Sequence, residues 1–229
     1  MLNKLIAGST LLAATLCLSS SLMAAQGDKM PRQAGNKNNH TSTEYGEIIG
    51  GFNSPDGKVV GATLPGKLVS FSVPQREGKP QYLHFAMMHA ASAARGWYFA
   101  PKSANGIPLT GPEVTQKTTT DITDQIALFR APDAQTSVAV SGDDGKLKYG
   151  DARKFMSASL THDHGMFVVS IRNISAGEYQ TPFSSGVWAV TDKPEKSFDH
   201  LPSAPLSTLA TRGHRGPLYQ SVKAECRHP

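Results

Sequence analysis

Apolar and polar side chains alternate along several short stretches of the chain. In residues 69–73, 83–87 and 167–171 every second residue is a large apolar one, and the residues between them are mostly small or polar. A period of two places the apolar side chains on one face, so these stretches predict β-strands with one buried face. Shorter runs of the same type predict further strands at residues 97–99, 126–129, 138–140 and 187–190.

Clusters of turn-forming residues separate these predicted strands. They lie at residues 54–57, 74–80, 141–145 and 184–186, in a chain that has 21 glycines and 15 prolines among its 229 residues. Many short strands separated by such clusters, with few helical stripes, indicate an all-β fold. The sequence therefore predicts an antiparallel β-sandwich, with core positions for Trp97 and Trp188.

Only the C-terminal part of the chain has a helical pattern. Ser203 is a suitable N-cap, Pro205 stands near the first turn, Leu206 and Leu209 share a face, and Gly213 is a stop signal. One short helix is predicted here, and a second is predicted to start near Pro217.

The N-terminus has the features of a bacterial secretory signal. Residues 1–25 contain a short basic start, an apolar run and a small-residue end. Residues 26–45 are predicted to form a flexible leader, and residues 46–229 a single sandwich domain, with a division near residues 142–150 as the alternative. Because no run of apolar residues reaches the roughly 20 that a spanning helix needs, we expect a secreted or periplasmic protein without a transmembrane span.

Charge and cysteine content limit the partners and the source of stability. The formal net charge is +5, from 23 basic and 18 acidic side chains, without a run of Lys and Arg that would follow phosphates. The sequence thus argues against nucleic acid. The mild basic excess could favour an anionic polysaccharide or the outer surface of the cell envelope, and the alternative is an ordinary basic surface. The expected partner is an envelope or extracellular ligand, either a polysaccharide or a protein. Cys226 is the only cysteine outside the predicted signal, and we expect it to be exposed near the chain end.

An ordered series of motifs resembles the C-terminal half of the bacterial spondin domain. That family has a strand ending in Met, a Ser-Asn-Asp-x-Phe turn, a Gly-Ile-x-Leu step, an Asp-Val-Thr step and an Asp-Ala-Gly-Thr-Glu loop. The corresponding stretches here are residues 83–88, 97–101, 105–109, 121–126 and 133–136.

A second series is similar to the N-terminal half of the same family. It comprises residues 167–175, 181–190, 205–210 and 216–218, so the two halves occur in reversed order. The resemblance implies a spondin-like sandwich that is circularly permuted, or fragments of two modules. It also implies a non-enzymatic binding or adhesion module, and it places the connection between the halves in a polar surface segment near residues 141–163.

The resemblance further implies a calcium site formed by acidic loops. Asp121, Asp124 and Asp133 remain as candidate ligands, but Arg95 lies in residues 92–96, where the family has its Ser-Asn-Asp turn. Calcium requires six to eight oxygen ligands, several of them carboxylates. The alternative is that these aspartates cap turns. No other cofactor is indicated.

The histidines give a second functional hypothesis. His162 and His164, with Met166 nearby and residues 87–89 as a further group of soft ligands, match the preferences of copper. Two residues at this spacing in a strand project to the same side. The alternative is that Asp163 and Gly165 mark a turn, which would leave the histidines exposed in a polar segment. A periplasmic copper-binding protein is therefore the alternative function.

Enzyme motifs are missing from the sequence. It has no Gly-x-Ser-x-Gly elbow, no His-Glu-x-x-His pair and no glycine-rich phosphate loop. We therefore predict a protein that is not an enzyme. If the protein has a recognition surface in its loops, Arg95, Tyr98 and Lys102 are the candidates, because Tyr98 has the opposite strand parity to Trp97 and is expected to face outward.

Overall fold

The computed structural model describes residues 44–109 and 118–226, which belong to one compact unit. The predicted signal peptide (1–25) and most of the predicted leader lie outside the described residues. The first described strand begins at Glu44, two residues before the predicted start of the sandwich domain.

Strands dominate the described part of the chain, with 41% of residues in strands and 19% in helices. The strands are β1 (Glu44–Ile48), β2 (Phe52–Asn53), β3 (Val60–Ala62), β4 (Leu68–Pro74), β5 (Tyr82–His89), β6 (Trp97–Pro101), β7 (Ile107–Pro108), β8 (Thr118–Asp121), β9 (Ile126–Arg130), β10 (Val138–Ala139), β11 (Met156–Asp163), β12 (Met166–Asn173) and β13 (Phe183–Thr191). The α-helices are α1 (Ala204–Arg212) and α2 (Gly216–Glu225), and short 3-10 helices occupy Ala90–Arg95, Thr123–Gln125, Ala152–Lys154 and Gly177–Tyr179.

Two antiparallel sheets form the sandwich. The larger sheet has the order β1-β13-β5-β6-β9-β10, and β7 also pairs with β5. The smaller sheet has the order β4-β12-β11-β8, and β2 and β3 form a separate hairpin. The prediction of an all-β antiparallel sandwich with short C-terminal helices is therefore confirmed.

The main core lies between the two sheets. Val69, Phe71 and Val73 of β4 face it from the smaller sheet, and Leu83 and Phe85 of β5 face it from the larger one. The predicted core tryptophans belong to the same cluster and are at most 1% exposed, namely Trp97 and Trp188. The alternation visible in the sequence thus identifies the inward-facing positions correctly.

A helical layer covers the outer face of the larger sheet. Leu206 and Leu209 of α1 and Leu218 of α2 pack in a second core with Ala86 and Tyr98, which point away from the main core. The molecule therefore has three layers, in the order helices, larger sheet and smaller sheet. Because no pattern in the sequence indicates what the helices pack against, this covering layer was not predicted.

The ends of α1 follow the predicted signals. The Ser203 side chain accepts a hydrogen bond from the Leu206 N–H, and Pro205 lies in the first turn. Gly213 ends the helix with φ 70°, a left-handed conformation that glycine adopts without a steric penalty.

The segment 141–163, predicted to be a polar surface connection, is largely structured. Its second half is β11, which pairs with β12 on one side and with β8 on the other. Leu147 and Phe155 from this segment are buried in the main core. The expectation of a polar surface segment is therefore wrong for residues 156–163. β11 was not recognised because it has only one large branched apolar side chain, Leu160, and its remaining inward apolar residues are a methionine and an alanine.

Candidate functional site

The predicted recognition residues do not share one surface. Tyr98 has the predicted parity relative to Trp97, but it is 0% exposed, because the helical layer covers that face. The Tyr98 O–H donates to the Asp199 carbonyl oxygen at 2.7 Å, and burial raises the pKa of Tyr98 far above its usual value. Tyr98 thus points away from the main core as predicted, but the inference that it is exposed to solvent is wrong. Arg95 is half-exposed and paired with Asp144, and Lys102 is exposed.

Two of the predicted calcium ligands meet at an arginine. The Arg153 guanidinium donates two hydrogen bonds to the Asp124 carboxylate, at 2.7 and 2.8 Å, and one to Asp121 at 3.0 Å. Hydrogen bonds from Thr123, followed by the contact with Arg153, lower the pKa of Asp121 to about 2. The hydrogen bond from Arg153 likewise lowers the pKa of Asp124. Both carboxylates are thus held in their charged form by protein groups.

The third predicted ligand, Asp133, serves a different turn. Asp121 and Asp124 precede β9, whereas Asp133 follows it, so the five residues of β9 separate them by roughly 16 Å. The Asp133 carboxylate accepts from the Gln135 N–H at 3.0 Å, and hydrogen bonds from Thr136 and Gln135 lower its pKa. Among the described residues no three His, Cys, Asp or Glu side chains are grouped as a metal site. This geometry supports the turn-capping alternative.

The two predicted copper ligands also lie apart. His162 is in β11, faces the sandwich interior beside Phe167, and is 7% exposed. Its Nε2–H donates to Gln75 Oε1 at 2.6 Å, so this nitrogen is occupied. His164 is in the two-residue turn after β11, has φ 48°, and points into solvent with a contact to Asp163. The expected same-side projection was wrong because the strand ends at Asp163.

A buried polar cluster was missed by the sequence analysis, because no motif marks it. His84 Nδ1 donates to both carboxylate oxygens of Asp199, at 3.0 and 3.1 Å, and both side chains are 0% exposed. His200 Nε2 donates to the Pro101 carbonyl oxygen at 2.9 Å. These contacts fix the segment before α1 on the outer face of the larger sheet. With a separation of 115 positions between His84 and Asp199, no local pattern connects them.

The outer face of the smaller sheet carries a set of hydroxyl groups, which the sequence analysis also missed. Seven serine and threonine side chains point outward from its four strands, and we call this surface the hydroxyl face; its members are Ser70, Ser72, Thr119, Ser157, Ser159, Thr161 and Ser170. Alternation explains their placement, because the residues that flank each of them in sequence point to the opposite face of the sheet, toward the interior of the sandwich. The serines between the apolar residues of β4 and β12 were the signal that could have identified this face.

The strand register aligns these hydroxyls in rows across the sheet. Ser70, Ser170, Ser159 and Asp121 are successive cross-strand partners in one row. Ser70 and Ser170 are hydrogen-bonded at 2.9 Å between their Oγ atoms.

The next row has the same type of pairing. It runs from Ser72 through Val168 and Thr161 to Thr119. The Oγ1 atoms of Thr119 and Thr161 are 2.9 Å apart. Most members of the hydroxyl face are half-buried or exposed, and Ser72 on the edge strand is 5% exposed. The result is an array of hydroxyls in which two neighbouring pairs, Ser70–Ser170 and Thr119–Thr161, are hydrogen-bonded across the strands.

Charged side chains on the four strands of the smaller sheet lie only around the margin of the hydroxyl face. Arg172 is at one end of β12, Asp163 is at the opposite end of β11, and Asp121 is on β8, where Arg153 binds it. The outward positions between them are uncharged, although the whole chain has a formal net charge of +5. The arrangement can donate and accept hydrogen bonds without requiring an ion to lose its hydration.

Comparisons with known proteins give no relative. No family model matches the chain, and no curated protein or solved structure matches it. The described helices include none that is long and apolar enough to span a membrane.

Proposed function

We propose that the protein is a non-enzymatic binding module that acts at the cell envelope or outside the cell, with the hydroxyl face as its binding surface. The observation that carries this proposal is the contrast between the two outer faces of the sandwich. The larger sheet is covered by α1 and α2, whereas the smaller sheet carries uncharged hydroxyls on its outer face, six of the seven at least partly exposed.

Binding fits this face better than catalysis does. A serine or threonine nucleophile needs a neighbouring base to remove its proton. The nearest histidine in the sheet, His162, has odd parity relative to Ser159 and Thr161 and faces the interior. Four of the seven hydroxyls instead bond to one another, in the pairs Ser70–Ser170 and Thr119–Thr161, which restrains their positions for recognition.

The wider parts of the proposal come from the sequence. The resemblance to the bacterial spondin domain supports a binding or adhesion role, and the predicted signal peptide supports a secreted or periplasmic location. The antiparallel sandwich agrees with the fold which that resemblance implies. The copper alternative receives no support from the arrangement of His162 and His164 described above.

A charge placed in the centre of the hydroxyl face tests the proposal. Ser170→Glu introduces a carboxylate on the second strand of the sheet, where any flat partner would have to desolvate it. Binding of the purified protein to isolated bacterial cell envelopes is measured by co-sedimentation, and we expect Ser170→Glu to weaken it by about tenfold or more.

The matched control is Ser207→Glu on α1, which changes the net charge equally in a different layer of the molecule. It should bind envelopes as the wild type does. Equal binding by all three proteins, or no binding by the wild type, would contradict the proposal. The thermal midpoint of each variant shows whether loss of binding reflects loss of folding. Thr161→Val, which removes a hydroxyl without adding charge, provides a second variant if Ser170→Glu fails to fold.

A further inference from the structure

The chemistry of the hydroxyl face indicates the class of partner. A hydroxyl group is both a donor and an acceptor, and it rotates to suit its partner. Phosphate, sulfate and carboxylate groups are acceptors that proteins bind mainly through arginine and lysine. Arg172 is the only cationic side chain at the outward positions of the four described strands, and it lies at the margin. A partner whose own groups are neutral hydroxyls therefore fits this surface better than an anionic one.

The size of the face argues against a protein partner or a second copy of this chain. Four strands about 4.8 Å apart and four rows about 6.7 Å apart give a surface of roughly 300–500 Å². A stable protein interface buries about 800 Å² on each partner. The hydroxyl face is too small for that, and of its apolar side chains only Val168 is central, whereas Leu68, Pro74 and Met166 lie at its ends.

The shape of the face argues for a polymer. Sites for small free ligands are concave and enclose most of the ligand, whereas this surface is the outer side of a four-stranded sheet. A repeating chain lying across the strands would meet Ser70, Ser170 and Ser159 in succession. Val168, half-buried in the neighbouring row, would contact the C–H groups of sugar rings. Several weak contacts along one chain add up to stable retention.

We propose that the hydroxyl face binds an uncharged polysaccharide chain lying across the strands of the smaller sheet. This inference rests on the proposed function and specifies its ligand. It predicts retention that salt does not weaken, because no ion pair contributes to it.

The test uses insoluble neutral polysaccharides as probes. Cellulose, β-1,3-glucan, starch, chitin and cross-linked dextran are each mixed with the protein, and the loss of protein from the supernatant is measured at low and high salt. Phosphocellulose and dextran sulfate beads provide anionic counterparts of two of these backbones. We expect at least one neutral polysaccharide to retain the protein equally at both salt concentrations.

Removal of the hydroxyls tests the role of the face. The variant carries Ser159→Ala, Ser170→Ala and Thr161→Val, which delete three outward hydroxyls and nearly preserve side-chain volume. We expect it to bind the neutral polysaccharide about tenfold or more weakly than the wild type. Because it removes one partner from each of the pairs Ser70–Ser170 and Thr119–Thr161, its thermal midpoint should fall by a few degrees, which leaves the protein folded in the assay.

A matched variant removes hydroxyls from the helical layer. It carries Ser207→Ala, Thr208→Ala and Ser221→Ala, which lie on α1 and α2. It should bind the neutral polysaccharide as the wild type does.

The outcomes separate this inference from the proposed function. Retention only on the anionic beads, or no retention on any neutral polysaccharide while Ser170→Glu still reduces envelope binding, would overturn the polysaccharide assignment and leave the binding module. Neutral-polysaccharide binding that the three hydroxyl substitutions do not change would overturn the assignment to this face. Absence of binding to both the polysaccharides and the envelopes would overturn both proposals.

Discussion

A buried histidine in the main core makes the stability of the protein depend on pH. His89 is 4% exposed, and its ring lies 5.4 to 5.9 Å from the ring centres of Trp97, Phe99 and Phe155. A ring placed among aromatic side chains loses the hydration that its charged form needs, so burial lowers the pKa of His89 from 6.5 to about 4.

The direction and size of the effect follow from that shift. Between pH 6.5 and pH 4 the unfolded chain binds a proton at His89 that the folded chain does not bind, so the folded state loses stability as the pH falls through this range. The loss is about 2 kcal/mol near pH 5 and about 3 kcal/mol near pH 4, relative to neutral pH.

His89→Phe removes the titrating group and keeps an aromatic ring of similar shape. The His89 ring makes a long side-chain hydrogen bond, 3.4 Å, to Thr181 Oγ1. That hydroxyl also accepts from the Ala91 N–H and donates to the Pro182 carbonyl oxygen, so it keeps these two partners in the variant. The free energy of unfolding, measured by denaturant titration at several pH values, should therefore decrease less toward acid in the variant than in the wild type.

The control is Phe155→Leu, a change in the same cluster that does not titrate. It should lower stability by a similar amount at every pH and keep the wild-type slope. If His89→Phe and the wild type lose stability in parallel between pH 7 and pH 4, His89 does not carry the pH dependence, and the argument from burial is wrong.

Three further predictions concern the interface between the larger sheet and the helical layer. Asp199→Ala leaves the buried His84 ring without a partner on either nitrogen, so the free energy of unfolding should fall by about 1–3 kcal/mol, and a thermal midpoint within a degree of the wild type would contradict this. Tyr98→Phe deprives the Asp199 carbonyl oxygen of its donor, and a loss of about 1–3 kcal/mol is expected by denaturant titration. In the wild type, absorbance titration above pH 10 should show that Tyr98 stays protonated as long as the protein is folded, because burial raises its pKa from 10.0. The unfolded chain loses this proton near pH 10, so the stability that Tyr98 confers is present below pH 10 and is lost as the pH rises above that value. Cys226 is 5% exposed and burial raises its pKa to about 12, so labelling of this thiol located by mass spectrometry should be slow until denaturant is added, which also corrects the expectation that it is exposed.

Features that depend on neighbouring residues in sequence were predictable. The start of α1 at Ser203 and its end at Gly213 each rest on one local hydrogen bond or one backbone conformation, and the sequence signals for both are specific. Inward-facing positions of β4, β5 and β12 were equally accessible, because a large apolar residue at every second position is typical of a strand with one buried face.

Features that depend on distant residues were not predictable from one sequence. The partner of His84 is 115 residues away, and nothing near either residue marks the pair. The gathering of Asp121 and Asp124 was anticipated, but as calcium ligands; Arg153, which binds them, lies about 30 residues further along. Long-range pairing is decided by the whole fold, so residue type alone left the calcium and turn-capping interpretations both open and did not indicate the contact with Arg153.

The two outer faces of the sandwich show how outward positions can still be distinguished. Alternation indicates which side chains point outward, but not what covers them. On the covered sheet several outward positions are alanines, Ala86, Ala100 and Ala189, which let the helices approach the strands closely. On the open sheet half of the outward positions are serine or threonine, and the two central rows contain no charge except Asp121 at their edge. Solubility alone would be served by a mixture of charged side chains, as on the rest of the surface of this basic protein. The exclusion of charge from the centre of the hydroxyl face therefore requires a different reason, and recognition of a neutral, hydroxyl-bearing partner supplies one.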